Sequence, residues 1–294
     1  MKILLTGGNG FIGKHLLSEL GNFEYKVVSL KSNILDELTL RKEIENIDFD
    51  VVVHLAGLSH VTSHSPSLIY ETNVIGSQNL ISAIEKNFES KRIFIASTCH
   101  IYASSNNPIS ETFLFNPKSH YAASKLAMEF ICKNTASRNI IVSLRLFNSI
   151  GMGQKKNFFT PKIFDAHMKK KPVIRLGNIE IQREFNDVRW TAAVVRSLVQ
   201  VNAPSGDYNI CSGEAHKASE ILSLISEKTE HFPKIVTDVK FLRPDEQNII
   251  FGDPTKTSEI LNQNGVQLHR PSINETIEHM ITAYKTQFNA KTNS

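Results

Sequence analysis

Short apolar runs alternate with stretches of helical periodicity through the first half of the chain, and this alternation limits the fold more than any other feature. The apolar runs lie at residues 2–6, 25–30, 51–55, 92–97 and 140–146. They are apolar at most positions, as in strands that are covered on both faces, and the helical stretches between them are long enough to cross over a sheet. The pattern therefore predicts the α/β class with a doubly wound parallel sheet.

A glycine-rich turn connects the first predicted strand to the first predicted helix, and it reads Thr6-Gly-Gly-Asn-Gly-Phe-Ile-Gly13. In this position two glycines let the backbone turn tightly and approach a phosphate, and the third lets helix and strand pack closely. The alternative is a tight turn that binds nothing. The strand–turn–helix context favours a dinucleotide whose pyrophosphate meets the helix N-terminus, and thus a Rossmann sheet. The predicted cofactor contacts here are Gly7, Gly10, Phe11, Ile12 and Gly13.

The end of the second predicted strand decides which dinucleotide is expected. An acidic residue that would bind the adenosine ribose is missing there, because the strand ends Leu30-Lys31-Ser32-Asn33. Lys31 and Ser32 could instead bind a 2'-phosphate, although Lys31 could also be a solvated strand end. We therefore expect NADPH, with NADH as the alternative, and we include Asn33 and Ile34 among the cofactor contacts.

Domain boundaries are expected where the alternation loosens, after Gly151. We predict a dinucleotide-binding Rossmann domain at residues 1–150, to which residues 186–212 return. A smaller C-terminal substrate lobe takes residues 151–185 and 213–288, and the polar tail 289–294 is expected to be disordered.

A tyrosine and a lysine lie four residues apart in a predicted helix, at Tyr121 and Lys125. That spacing puts both on one helix face, where the ammonium would favour the phenolate and lower the pKa of the tyrosine. Thr98 ends a predicted parallel strand, so its hydroxyl would reach the ligand crevice. The three residues are the predicted catalytic group.

At these positions the chain resembles the extended short-chain dehydrogenases/reductases of the NAD-dependent epimerase/dehydratase family. The family's TGxxGxxG is Thr6 to Gly13, its YxxxK is Tyr121 to Lys125, and Thr98 matches its catalytic Ser/Thr. The family's strand end HLAA corresponds to His54-Leu-Ala-Gly57. The resemblance implies further cofactor contacts at Leu55, Ala56, Gly57, Asn73, Tyr121 and Lys125.

The second half of the chain carries the family's substrate motifs. The segment Arg145 to Gly151 is similar to RxxNxxG, and Arg183-Glu-Phe and Arg243-Pro-Asp-Glu246 are similar to two later motifs. The sequence around Arg183 looks most like that of the GDP-4-keto-6-deoxy-mannose reductases. The resemblance implies a GDP-linked sugar bound by Asn148, Arg183, Arg243 and Glu246. Cys99 and His100 flank Thr98 and are predicted to line the same pocket, although His100 could instead only hydrogen-bond a loop.

The expected function is reduction of a nucleotide-linked 4-keto-6-deoxy sugar by NAD(P)H, in which Tyr121 gives the proton. A nucleotide-sugar 4-epimerase is the alternative, since the same residues would serve. A 4,6-dehydratase is less expected, because the family's dehydratases carry carboxylates where this chain has Cys99 and His100. A redox-inactive protein that senses the cofactor is also less expected.

Composition excludes several other classes. The formal charge is +4 and the basic residues are scattered, so nucleic acid is not an expected partner. Three cysteines without metal-ligand spacing indicate neither a disulfide framework nor a metal site. No apolar stretch reaches membrane length, and a cytoplasmic location is expected.

His54, in an apolar run, is interpreted as a satisfied core histidine. The family resemblance implies a homodimer, formed by the helices near residues 66–86 and 121–136.

Overall fold

The computed structural model describes residues 1–59, 65–242 and 247–292, and it is built from thirteen strands and ten helices in those ranges. The strands are β1 (Lys2–Thr6), β2 (Lys26–Ser29), β3 (Val51–His54), β4 (Arg92–Thr98), β5 (Ile140–Leu146), β6 (Ser149–Ile150), β7 (Val173–Leu176), β8 (Gln182–Arg183), β9 (Asn186–Asp187), β10 (Gly206–Ile210), β11 (His216–Lys217), β12 (Lys234–Thr237) and β13 (Ile249–Ile250). The helices are α1 (Phe11–Gly21), α2 (Glu37–Glu45), α3 (Pro66–Tyr70), α4 (Gly76–Asn87), α5 (His120–Thr135), α6 (Phe159–Met168), α7 (Val188–Gln200), α8 (Ala218–Thr229), α9 (Thr255–Gln263) and α10 (Ile273–Thr292).

Six strands form the main sheet in the order β2-β1-β3-β4-β5-β10, and every neighbouring pair is parallel. Successive side chains of a strand face opposite sides of this sheet. Ile3 and Leu5 pack with α1 and α7, whereas Leu4 packs with α2 and α4. Burial on both faces explains why the strands are apolar at most positions. The predicted doubly wound parallel sheet is confirmed.

The strand order reverses at β1, because β2 lies on one side of it and β3 on the other. The connections that leave the carboxyl ends of β1 and β3 therefore diverge to opposite faces of the sheet. A crevice forms at such a switch point, and this is where ligands bind in open α/β sheets. The glycine-rich turn and the ends of β3 and β4 border this crevice.

A second cluster of apolar side chains lies under α6, α8 and α10, around Ile163, Ile221 and Ile277. The predicted division of the chain stays a prediction, and the placement of two elements bears on it. α9, expected in the substrate lobe, places Leu261 in the cluster on the main sheet, and its Thr257 hydroxyl donates to the Asn209 carbonyl of β10 at 2.7 Å. The tail predicted to be disordered from residue 289 continues α10 to Thr292, since no proline or glycine interrupts the helix there.

In the parts of the chain that the structure describes, no helix combines the length and apolar character needed to cross a membrane.

Candidate active site

The glycine-rich turn has no room for side chains where it meets β3 and α1. Gly7 has φ +72°, and a Cβ placed on it would lie 2.5 Å from the backbone nitrogen of Ala56. A Cβ on Gly13 would lie 2.2 Å from the carbonyl oxygen of Gly7. Neither position accepts a larger residue without moving the backbone.

The turn leaves the N-terminus of α1 open towards the crevice. Gly10 is the N-cap residue, and neither a capping side chain nor an acidic residue occupies the first turn of this helix. The amides there and the helix dipole favour an anion. These features fit a dinucleotide pyrophosphate, and the contacts at Gly10, Phe11 and Ile12 stay predictions.

The remaining predicted cofactor contacts line the same edge of the sheet with unequal exposure. Leu55 and Ala56 are half-buried and Gly57 is exposed. Ile34 is buried under Gly76, where a Cβ would lie 2.7 Å from its side chain, so it supports the loop after β2 from below. Lys31 and Asn33 are exposed on that loop.

Thr98 and Tyr121 meet at the carboxyl edge of the sheet. Thr98 is the last residue of β4 and is buried, and Tyr121 lies in the first turn of α5, which Ser119 caps by accepting a hydrogen bond from Ala122 N at 3.1 Å. The Thr98 side chain lies close enough to lower the pKa of Tyr121. The structure thus brings together two of the three predicted catalytic residues.

The pKa of Tyr121 moves in the direction opposite to the one expected from the sequence. Burial raises it to about 12, and the Thr98 side chain offsets this only in part. Lys125 does not lower it, because the lysine ammonium turns away along the helix and donates to Met128 Sδ at 3.3 Å. Near neutral pH the Tyr121 phenol is therefore protonated.

Lys125 itself is buried and faces the crevice. Its Nζ lies 3.7 Å from the position that a Cβ on Gly57 would take, at the end of β3. Burial lowers the pKa of Lys125 to about 8, although the Cys132 and Glu129 side chains oppose the shift. A lysine in this place can bind a ribose hydroxyl of a cofactor and supplies a positive charge that titrates close to neutral pH.

Asn73 holds α5 in place from a short π-helical segment, Glu71–Ile75, between α3 and α4. Its Nδ2 donates to Ser124 Oγ at 3.0 Å and to the Leu58 carbonyl at 3.2 Å, and its Oδ1 accepts from Leu58 N at 2.8 Å. Ser124 in turn donates to the Tyr121 carbonyl at 2.8 Å. Asn73 has no exposed surface, so in this structure it positions the catalytic helix, and direct contact with a cofactor stays a prediction.

A chain of hydrogen bonds runs from the strand end at His54 to this segment. Ala56 N donates to Thr6 Oγ1 at 3.1 Å, Thr6 Oγ1 lies 2.6 Å from His54 Nδ1, and His54 Nε2 lies 2.8 Å from Ser77 Oγ. Ser77 Oγ donates to the Asn73 carbonyl at 2.7 Å, so Nε2 carries the histidine proton and Nδ1 accepts from Thr6. Burial, with a smaller effect of Lys125, lowers the pKa of His54 to about 3. The interpretation of His54 as a satisfied core histidine is confirmed.

An ion pair fixes the other end of α5. Arg145 of β5 is 1% exposed, and it binds Glu129 of α5 and Asp207 of β10, each at 2.8 Å. Its Nη1 also donates to the Tyr102 hydroxyl at 2.9 Å. The sequence identified Arg145 only as the start of a motif, and nothing in its local pattern indicated that it would tie three elements together.

The predicted substrate residues are placed unevenly. Asn148 is half-buried, and in the described part of the chain its side-chain amide makes no hydrogen bond, so it is free to meet a ligand. His100 is also half-buried, and its backbone nitrogen donates to Thr98 Oγ1 at 3.3 Å. Arg243 and Glu246 lie outside the described residues.

Two of the predicted substrate residues are buried in this structure, and their contact with a substrate stays a prediction. Cys99 is 1% exposed, lies in the 3₁₀ turn that follows β4, and packs in an apolar cluster with Phe147 and Cys211. Arg183 is buried, and its guanidinium donates to the carbonyls of Gln182 at 2.7 Å, Asn248 at 3.1 Å and Gln247. In this structure Arg183 therefore holds the chain next to β13.

Glu184 is a buried carboxylate that the sequence did not single out. It accepts hydrogen bonds from Gly252 N and Ser212 N, each at 2.7 Å, and from Asn186 Nδ2 at 2.8 Å. Burial raises its pKa. Its adjacency to Arg183 in the sequence was the only available signal, and its role is to join the loop after β10 to β9 and β13.

A phenol and a lysine one helical turn apart, beside a strand-end hydroxyl on this sheet, is the arrangement of the short-chain dehydrogenases/reductases. Comparison with known proteins agrees. The family described as GDP-mannose 4,6 dehydratase matches residues 26–267. The chain belongs to this family, and the predicted epimerase/dehydratase enzyme class is confirmed.

Two curated relatives match nearly all of the chain. It is 32% identical over 287 residues to GDP-6-deoxy-D-talose 4-dehydrogenase of Aggregatibacter actinomycetemcomitans, covering 95% of this chain and 97% of the relative. It is 28% identical over 268 residues to GDP-6-deoxy-D-mannose reductase of Pseudomonas aeruginosa, covering 85% of this chain and 88% of the relative. The solved structure of RMD from Pseudomonas aeruginosa complexed with NADPH superimposes with a TM-score of 0.85 at 24% identity. The superposition covers 97% of this chain and 99% of that structure. At that identity the last likeness shows the fold alone.

Proposed function

We propose that the chain is an NAD(P)H-dependent reductase that acts on the C4 ketone of a nucleotide-linked 4-keto-6-deoxy sugar, with GDP as the favoured nucleotide. The observation that carries the proposal is the Thr98–Tyr121 pair, in which the end of β4 meets the first turn of α5 and the half-buried phenol is protonated near neutral pH. A ketone reduction needs a proton donor at that place. The GDP-sugar relatives, whose names refer to a 4-dehydrogenase and a reductase, support the substrate class.

In this reaction the cofactor supplies the hydride, and the protein supplies orientation and the proton. Thr98 would hydrogen-bond the ketone oxygen, and Tyr121 would donate its proton to that oxygen as charge develops on it. Lys125 would bind a ribose hydroxyl of the cofactor and supply a positive charge beside it. Asn73 and Ser124 hold the first turns of α5 in place and thereby position Tyr121.

The matched family is named after elimination of water, and its dehydratases carry carboxylates where this chain has Cys99 and His100. Burial raises the pKa of the Cys99 thiol to about 12, with a contribution from Glu184, and the thiol packs in the core. His100 alone would have to take the proton from C5 and protonate the departing C6 hydroxyl. This supports hydride transfer without dehydration.

The test is a panel of GDP-, dTDP- and UDP-linked 4-keto-6-deoxy sugars incubated with NADH or NADPH while absorbance at the reduced-nicotinamide band is followed. We expect stoichiometric oxidation of the cofactor with a GDP-linked ketone. Interconversion of nucleotide hexoses at catalytic cofactor, without net absorbance change, would assign a 4-epimerase instead. Cofactor binding without turnover of any nucleotide sugar would leave only a cofactor-sensing protein.

A further inference from the structure

A carboxylate from α2 lies at the end of β2. Glu43 accepts hydrogen bonds from Lys31 N at 2.9 Å and from Ser32 N at 2.7 Å, and the Ser32 hydroxyl donates to it as well. Burial opposes the charge of this half-buried group, but the hydrogen bonds from Ser32 and Lys31 outweigh it, and the pKa of Glu43 is lowered. The carboxylate is therefore ionised and held firmly by the loop after β2.

This loop borders the proposed pyrophosphate cradle. β1 and β2 pair with Leu5 opposite Ser29, and a Cβ on Gly8 of the glycine-rich turn would lie 3.6 Å from Ser29 Oγ. In dinucleotide-binding sheets the end of this strand meets the adenosine ribose, usually through an acidic side chain. The strand end of this chain has no acidic residue, but the structure brings one there from a helix.

We infer that Glu43 is the ribose-facing carboxylate of this site, and that it makes the site selective for the dinucleotide without a 2'-phosphate. The inference rests on the proposed function, because it requires a nicotinamide dinucleotide in the crevice. It also reverses the preference for NADPH that Lys31 and Ser32 suggested in the sequence.

Three of the donors that a 2'-phosphate could use at this strand end are already engaged. Lys31 N, Ser32 N and the Ser32 hydroxyl all donate to Glu43, so a phosphate could use them only by displacing the carboxylate. The charge argues the same way. A phosphate monoester carries about −1.5 to −2 at neutral pH, and Glu43 offsets the positive charge of Lys31 and repels the phosphate.

An unphosphorylated ribose suits the same group, because its hydroxyls are donors. Each carboxylate oxygen can accept two hydrogen bonds, and in the described residues Glu43 Oε1 accepts only the one from Lys31 N. The carboxylate can therefore bind a ribose hydroxyl while it still holds the loop.

The experiment is calorimetric titration of the full chain with NADH and with NADPH, for wild type and variants, alongside thermal unfolding. Wild type is expected to bind NADH at least about tenfold more tightly than NADPH. Glu43→Gln keeps the size of the side chain and removes its charge. It should reduce the ratio of NADH affinity to NADPH affinity to within about threefold, mainly by tighter NADPH binding. Glu45→Gln is the matched control, because Glu45 lies on the same helix, is exposed and pairs with Arg41 at 3.1 Å; its ratio should equal that of wild type.

Ser32→Ala separates charge from loop structure, because it removes one donor and leaves the carboxylate ionised. Its ratio is expected to stay at the wild-type value. Equal wild-type affinity for the two dinucleotides overturns the inference, and so does a Glu43→Gln variant that loses both affinities equally with a lower melting temperature, which would show that Glu43 only supports the loop. If wild type binds neither dinucleotide, the proposed function itself is refuted.

Discussion

The alkaline limit of activity should be set by Lys125 rather than by Tyr121. The pKa of Lys125 is about 8 and that of Tyr121 about 12, both because of burial. A lysine carries its charge below its pKa and loses it above. Turnover that needs this charge is therefore full at low pH and falls as pH rises through about 8, whereas the phenol stays protonated throughout that range.

The size of the effect follows from the pKa of Lys125. With a pKa of about 8, the charged fraction is about one tenth at pH 9 and one hundredth at pH 10. We expect kcat/KM for ketone reduction to fall by the same factors, since this parameter reports groups of the free enzyme. The assay is the initial rate of cofactor oxidation between pH 6 and 10 at low sugar concentration.

Lys125→Arg tests the assignment, because a guanidinium stays charged across the whole range. Its plateau should be lower, since arginine does not match the lysine geometry, but the decline above pH 8 should vanish. A variant that keeps the same alkaline limb, or a wild-type limb that begins only above pH 10, would refute the role given to Lys125.

Three further outcomes are expected. Tyr121→Phe should lower kcat at least about a hundredfold, about 2.7 kcal/mol in barrier, while cofactor affinity measured by titration changes only a few-fold; activity within tenfold of wild type would move the proton donor to another group. The chain should be a dimer by light scattering at micromolar concentration, and Phe130→Lys, at a position that is 53% exposed on α5, should give a monomer; a monomeric wild type contradicts this. The free energy of unfolding should fall by about 2 kcal/mol between pH 6.5 and 4.5 through His54, because its pKa is about 3 in the folded chain and 6.5 unfolded, and the unfolded state alone takes up the proton. This stability is complete above pH 6.5, and His54→Gln should lack that part of the decline in denaturant titrations.

Much of the fold could be predicted from local sequence. Strand and helix periodicity has a range of a few residues, so the alternation along residues 2–146 was visible without tertiary information. The turn from Gly7 to Gly13 was recognisable for the same reason, since strand, turn and helix are contiguous. The spacing of Tyr121 and Lys125 placed them on one helix face before their surroundings were known.

Three-dimensional packing decided what local patterns could not. Glu43 is eleven residues from Ser32, and Asn73 is 51 residues from Ser124, yet each pair is hydrogen-bonded. Such pairings follow from how helices lie on the sheet, and one sequence contains no record of that placement. The same limit explains why Cys99, assigned to the crevice by its neighbour Thr98, lies in the core.

The sequence by itself determined which chemical groups this protein possesses and in what order they occur along a parallel sheet. Only the tertiary structure decided their charge states, because a pKa depends on desolvation and on neighbours from distant elements. Proximity in the helix predicted a lowered pKa for Tyr121, whereas burial raises that pKa and makes Lys125 the group that titrates near neutral pH.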